Sequence, residues 1–358
     1  MFEDLNLKLG FGCMRLPKQG EEIDIDAFSK MVDAYLAAGG RYFDTAHVYH
    51  KGASEPAIRK ALTSRYSRDR YILTDKLTTI CYETEDDLDA LLEKQLQACG
   101  VEYFDNYFFH AMRPNYYEKF NATNAFAHMK KWLQEGKIRH IGMSFHWTPE
   151  FLRQVLTEHP EIEIVQLQFN YADTDNPDVQ ALACYEVCRE FDKPVVVMEP
   201  VKGGTLADLP QEGKEILRSV TQNGEATFAL RYCASFPQIK VILSGMSSPA
   251  QMEDNLKTMA SPAPFTESEY AAADQIRVIV RKTELIACTG CRYCMDGCPQ
   301  EIPIPELFAA YNARLLLEPY SMTGQRAADC AQCGACESLC PQNLPIRKLL
   351  KWVAESLA

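Results

Sequence analysis

Through residues 40–245, short apolar and β-branched runs alternate with stretches whose apolar positions recur every three to four residues. The first kind predicts strands: RYFDTA, YILTDK, YFDNYFFH, IRHIGMS, IVQLQFN, PVVVME and KVILSG. The second predicts amphipathic helices, among them DAFSKMVDAYLAAGG, ETEDDLDALLEKQLQACG and ATFALRYCASF. Regular strand–helix alternation implies a parallel sheet covered by helices. Seven such units in about 240 residues, with no G-x-G-x-x-G after the first strand, favour a closed (β/α)8 TIM barrel over an open Rossmann sheet. An eighth strand then has to lie in KTMASPAPF, a poor strand sequence that predicts a short element. LNLKLGFGCMRLP reads as a hairpin capping the barrel bottom, and TESEYAAADQIRVIV as the last helix.

Beyond residue 283 the pattern changes. CTGCRYCMDGCP begins at Cys288, and CAQCGACESLCP repeats its C-x2-C-x2-C-x3-C-P spacing from Cys330. This divides the chain into a barrel over 1–283 and a small, mainly helical module over 284–358. Helical spacing covers IPELFAAYNARLLLE between the two motifs. It returns in LPIRKLLKWVAESLA, with Ile346, Leu349, Leu350 and Val353 on one face. A pair of structural zinc sites is the alternative, but zinc motifs usually come as two C-x2-C halves across a longer spacer. The stretch resembles a bacterial-type two-cluster ferredoxin, of the α-helical kind found as electron-relay domains in larger redox enzymes. In such ferredoxins the fourth cysteine of each motif ligates the other cluster. The resemblance therefore assigns Cys288, Cys291, Cys294 and Cys340 to one [4Fe–4S] cluster, and Cys330, Cys333, Cys336 and Cys298 to a second.

Composition narrows the setting. Net charge is −12, from 37 basic and 49 acidic residues, which argues against nucleic acid or an anionic membrane as partner. The acidic opening MFEDLNLKLG is unlike a signal peptide, and no apolar run is long enough to span a bilayer. Fourteen cysteines without an export signal point to a reducing cytoplasmic location. Six of them, Cys13, Cys81, Cys99, Cys184, Cys188 and Cys233, are scattered and read as small apolar residues.

In a barrel of this kind the C-terminal strand ends carry the chemistry. Those ends offer Asp44, Lys76 and His110, with Tyr49 five residues past Asp44. Each alone has an ordinary reading: a buried helix-capping Asp, a surface Lys, a satisfied core His. Together they set a phenol, an ammonium, a carboxylate and an imidazole at one mouth. GGRYFDTAHVYHKGASEPAIRKAL, YFDNYFFH, GKIRHIGMSFH and LSGMSSPAQMEDNL resemble segments of the aldo-keto reductases, and with its tail the chain resembles the bacterial subgroup fused to a ferredoxin domain. That resemblance implies carbonyl reduction or alcohol oxidation. Tyr49 would be the proton donor, Lys76 would draw its pKa down, Asp44 would hold Lys76 charged, and His110 would orient the substrate oxygen. It also implies an NAD(P) site, with Ser144 and Gln166 at the carboxamide and Gly245, Ser247, Gln251 and Asn255 along the rest of the dinucleotide. The family's Asn after Ser144 is Phe145 here. Met198 or Glu199 stands where an aromatic usually stacks, and no Arg or Lys in SGMSSPAQMEDN marks a 2′-phosphate.

Clusters move single electrons and hydride moves two, so a flavin, the usual converter, stays among the cofactors to be expected. Two readings remain open. One is an oxidoreductase whose clusters exchange electrons with an external carrier of the ferredoxin or flavodoxin type. The other is a non-catalytic, redox-sensing or electron-transfer subunit with the barrel as docking scaffold. The short connection around RKTELIACTG predicts a packed interface between the modules, with Leu307, Phe308 and Leu349 in it.

Overall fold

A computed structural model describes residues 2, 5–282, 285–315 and 325–356. The predicted boundary at 283/284, the helix end predicted at 316–318 and the last two residues lie outside them.

Eight parallel strands close into a barrel: β1 (Leu9–Gly12), β2 (Tyr42–Asp44), β3 (Ile72–Leu77), β4 (Phe104–Met112), β5 (Ile138–Phe145), β6 (Ile164–Gln168), β7 (Val195–Met198) and β8 (Ile239–Ser244). All seven predicted strands are present. The eighth is not in KTMASPAPF, which supplies the end of the helix Pro249–Ala260 and a coil carrying two prolines. Its place is taken by LGFG, which pairs Leu9 with Ile242 and Gly12 with Asp44 and so closes the ring. The hairpin expected over residues 5–17 at the barrel bottom is therefore not formed; a different one, Lys18–Gln19 against Glu22–Ile23, follows on the side where β1 ends. At the bottom, Phe2 and Leu5 pack against Tyr42, Phe108, Ile164, Val196, Val241 and Leu243. Phe108 fills the barrel because Gly142 opposite it has no side chain; a Cβ there would come within 2.4 Å of the Phe108 ring.

Period-two alternation sorts the strand residues. On β3, Lys76 turns into the barrel, while Asp75 turns outward among Glu55, Gln95 and Cys99. On the outer face Tyr107, Phe109, Val165 and Val197 join the helices in one apolar core, which includes Cys13, Cys99, Cys184, Cys188 and Cys233. The predicted last helix spans Glu267–Lys282.

The C-terminal module has its own core: Ile302, Ile304, Leu307, Phe308, Ile346, Leu349, Leu350 and Val353, with the cysteines among them. The helices Ile304–Leu315 and Ile346–Ser356 fall where helical spacing placed them. Leu307, Phe308 and Leu349 therefore belong to this core. The junction with the barrel is instead polar and loop-borne. Gln342 and Gln168 exchange amide hydrogen bonds of 2.8 and 3.1 Å, and Arg113 Nη1 donates to Cys340 O at 3.4 Å. Arg15 donates to Thr289 O. At Gly203 (φ +65°) a Cβ would lie 2.8 Å from Thr289 Cα, so only glycine admits this approach. Among the described residues no helix is long and apolar enough to cross a membrane.

Candidate active site and iron–sulfur sites

Asp44, Lys76 and His110 meet inside the barrel mouth, and Tyr49 comes in from the turn after β2. Lys76 is fully buried, and its Nζ donates to Asp44 Oδ1 and to Thr45 O, both at 2.6 Å. The same ammonium stands 5.0 Å from the centroid of the Tyr49 ring. Burial raises the Asp44 pKa, opposed by Lys76 and by Gln166, whose Nε2 donates to Asp44 Oδ2 at 3.0 Å. The Tyr49 phenol is pushed well above its ordinary value, first by burial and then by the Asp44 charge. The expected lowering by Lys76 is thus not what dominates here, because the ammonium's short contacts go to Asp44 and Thr45.

His110 is aimed by a distortion of β4. The β4–β5 register shifts between Phe109 and Met112, and Ala111 adopts a left-handed φ of 55°. Such a conformation costs a non-glycine residue roughly 1–3 kcal/mol and persists only where its surroundings enforce it. Ser144 helps to do so: its Oγ accepts from Ala111 N at 2.7 Å. His110 Nδ1 lies 2.7 Å from the Thr78 hydroxyl, and burial, then Lys76, pushes its pKa well down. Its Nε2 faces the hydroxyl of Tyr293 at 3.2 Å, and the Tyr293 and Tyr49 phenols neighbour each other in the same cavity.

One cavity joins Asp44, Tyr49, His110, Ser144 and Gln166 to Gly245, Ser247, Gln251 and Asn255. All the predicted nucleotide contacts therefore line the space that holds the catalytic candidates. Their polar groups are unevenly free. At the carboxamide end Ser144 holds Ala111 N and Gln166 holds Asp44. Phe145 is buried and stacked on Phe151, so it offers no amide. At the far end Ser247 Oγ donates to Arg15 O, Gln251 Oε1 accepts from Ser247 N, and Asn255 Nδ2 donates to Ser244 Oγ. The exposed Asp254 lines that end too.

Cys288, Cys291, Cys294 and Cys340 wall a second cavity, completed by Ile304, Phe308, Leu344 and Ile346. Thiols and apolar side chains around one void suit a cubane, as does the Gly290 N–H that donates to Cys288 Sγ at 3.4 Å. Among the described residues no three His, Cys, Asp or Glu close tightly enough for a single metal ion; a four-iron cubane is a larger object. Cys336 lies within electrostatic reach of Cys330 and Cys298, and Cys333 is exposed. The grouping of Cys340 with the first motif, and of Cys298 with the second, is that of the cross-ligated pattern. Cys291 lines both the thiol cavity and the barrel-mouth cavity.

The profile of the Aldo/keto reductase family matches residues 8–278. The chain belongs to that family. A 4Fe-4S dicluster domain follows it, matching residues 287–344. An aldo-keto reductase of Strobilurus tenacellus is 28% identical over 218 residues, 57% of this chain and 61% of that protein. The match thus spans about three-fifths of that curated relative. An uncharacterized oxidoreductase of Bacillus subtilis is 24% identical over 305 residues, 75% of this chain and 92% of its own length. Among solved structures, the holo form of an aldo-keto reductase from Bacillus halodurans superposes with a TM-score of 0.63 at 24% identity, covering 75% of this chain and 91% of that one. A Klebsiella pneumoniae aldo-keto reductase in complex with NADPH gives 0.62 at 18% identity, covering 75% and 90%. Both likenesses concern the barrel fold.

Sequence reasoning missed several residues at the mouth: Thr78, Arg113, His146, Thr289, Tyr293 and Gln342. His146, one residue past β5, lies beside Pro341, and burial pushes its pKa down to about 3. The only signal for Tyr293 was its place between Cys291 and Cys294, where a loop residue has no periodic constraint.

Proposed function

We propose that the chain reduces a carbonyl compound, or oxidises the corresponding alcohol, at Asp44, Tyr49, Lys76 and His110. A nicotinamide dinucleotide would occupy the barrel-mouth cavity, and two [4Fe–4S] clusters, one per cysteine set, would exchange electrons with that site. The observation that carries this reading is Cys291, which borders the thiol cavity and the catalytic cavity at once. When bound, the nicotinamide would supply a hydride and the clusters single electrons.

The chain's own residues handle the oxygen and its proton. Tyr49 keeps its proton in the resting site, because burial and the Asp44 charge both oppose the phenolate. It can act as an acid only if the phenolate is stabilised as the proton leaves, and Lys76 is the buried cation at hand. A neutral His110 that accepts from Thr78 at Nδ1 carries its proton on Nε2, directed at the substrate oxygen. At that end of the cavity Asp254 stands near Ser247, Gln251 and Asn255 while Arg15 lines the same space, so both NAD and its 2′-phosphorylated form stay open as the dinucleotide. The exposed Cys333 gives the second cluster a solvent face for a ferredoxin- or flavodoxin-type carrier.

The test is anaerobic purification, with iron and sulfide counted and bound nucleotide or flavin identified by mass. NADH oxidation with benzaldehyde is then followed. The reading expects turnover, and, where a flavin is found to split the hydride pair into single electrons, bleaching of the cluster absorbance by NADH. The second reading, a redox-sensing scaffold without turnover, draws support from Phe145 and from the engagement of Gln166 with Asp44. It expects full clusters and no NADH oxidation.

A further inference from the structure

Tyr293 belongs to the iron–sulfur module, yet its side chain reaches into the barrel. Its hydroxyl lies 3.2 Å from His110 Nε2, beside the Tyr49 phenol in the same cavity. Its ring meets the His110 ring edge-on, with centroids 5.9 Å apart. Tyr49 and His110 are the two groups that a reducible carbonyl oxygen would have to reach together. In this structure a phenolic oxygen of the chain itself stands between them.

The backbone around Tyr293 is tied on both sides. Cys291 and Cys294, two residues before and one after, wall the same thiol cavity. Arg292 between them has a left-handed φ of 68°, and its side chain pairs with Glu306. The preceding Thr289 is held by Arg15 and packs against Gly203. Beyond Cys340 the module is held a second time, by the Gln342–Gln168 exchange. The loop is thus clamped to the rim at several points, and the side chain it presents ends where a substrate oxygen would bind.

The geometry points to Tyr293 as an internal occupant of the barrel's oxygen site, a plug carried on the cluster loop that a carbonyl or carboxylate ligand must displace to bind between Tyr49 and His110. This rests on the proposed assignment of Tyr49 and His110 to the substrate oxygen. With its backbone clamped, the side chain leaves by rotation about its own torsions. The hydrogen bond to His110 and the contact with Tyr49 then have to break, and the ring must find other space. Breaking a net hydrogen bond of this kind weakens a competing ligand by up to about tenfold.

Benzoate binding tests this without turnover. Affinity is measured by calorimetry on anaerobic, cluster-replete protein, with iron content checked for every variant. Tyr293→Ala is expected to bind benzoate at least about tenfold more tightly than the unmodified chain. Adding Tyr49→Phe should abolish that gain. Tyr293→Phe keeps the ring that packs beside the cluster loop but drops the hydroxyl that meets His110 and Tyr49, so it should gain a smaller factor. It decides the matter if the alanine variant loses iron. Unchanged affinity in the iron-replete Tyr293 variants overturns the proposal. So does weaker binding, which would make Tyr293 part of the ligand site rather than its occupant. Benzaldehyde reduction by NADH is assayed on the same samples. Its absence in both wild type and variants, alongside the expected benzoate gain, would refute the catalytic reading and leave the plug standing.

Discussion

Lys76 Nζ sits 2.6 Å from Asp44 Oδ1 with the lysine side chain wholly out of solvent. A buried pair of this kind does not by itself argue for stability, but breaking it leaves an uncompensated charge. Lys76→Met alone should therefore destabilise the protein by about 3–5 kcal/mol. Lys76→Met with Asp44→Leu should cost clearly less than the sum of the two single changes. Calorimetric melting of the four proteins, each with full iron, reads the coupling. Additive losses would mean that the two groups do not hold one another.

Replacing Tyr49 with Phe should lower aldehyde reduction on the order of 10²-fold or more, the scale for losing a positioned acid. The effect should fall on kcat, with iron content and nucleotide binding unchanged. Activity within a few-fold of the parent would assign the proton to another group, with Tyr293 the nearest candidate.

Cys340 lies with the first motif's cysteines and Cys298 near Cys330 and Cys336. Anaerobic protein should hold roughly eight iron and eight sulfide per chain. Cys298→Ser should alter the electron paramagnetic resonance signal of the cluster remote from the barrel and leave the other intact. Cys340→Ser should do the reverse, and should also loosen the Gln342–Gln168 contact. If each variant perturbs the cluster of its own motif instead, the crossing is refuted.

A pH dependence should arise away from the mouth. Glu55 and Asp75 face each other in the layer between barrel and helices, and burial pushes both carboxyls up, Glu55 to about 7. Their folded-state values exceed the unfolded ones. Their contribution to stability is therefore complete below the unfolded carboxylate range and is lost as pH rises through about 7. Melting temperature should fall between pH ~6 and ~8, and Glu55→Gln should flatten that slope. A parent protein equally stable at both ends would contradict the raised carboxyl values of this pair.

The barrel was legible because seven of its strands are β-branched or aromatic runs between amphipathic helices. β1 was not, since LGFG has two glycines and no β-branched residue, and it is a strand only because Ile242 and Asp44 stand ready on either side to pair with it. Asp44, Lys76 and His110 could be named because strand ends are where such a barrel places its chemistry. The partners of Ser144 and Gln166 could not, because those bonds link positions 33 and 122 residues apart. Ser144 in particular serves a bulge at Ala111 that no local pattern announces. The character of the junction was misread for a related reason. Leu307, Phe308 and Leu349 form an apolar face that could equally cover a neighbour or a small core, and only the folded module shows that they close on one another.

The crossing of cysteines also sets an order of events. The thiol cavity beside the barrel needs Cys340, which leaves the ribosome after the whole barrel and after the helix Ile304–Leu315 between the motifs. Domains tend to fold as they emerge. The (β/α)8 unit, complete by Lys282, can therefore close its ring with an open mouth before any sulfur site beside it has a full set of ligands. A newly made chain would pass through an interval in which the barrel is folded and its mouth is not yet covered by the loop of Tyr293. Iron supply, acting after synthesis, would then decide how long that interval lasts.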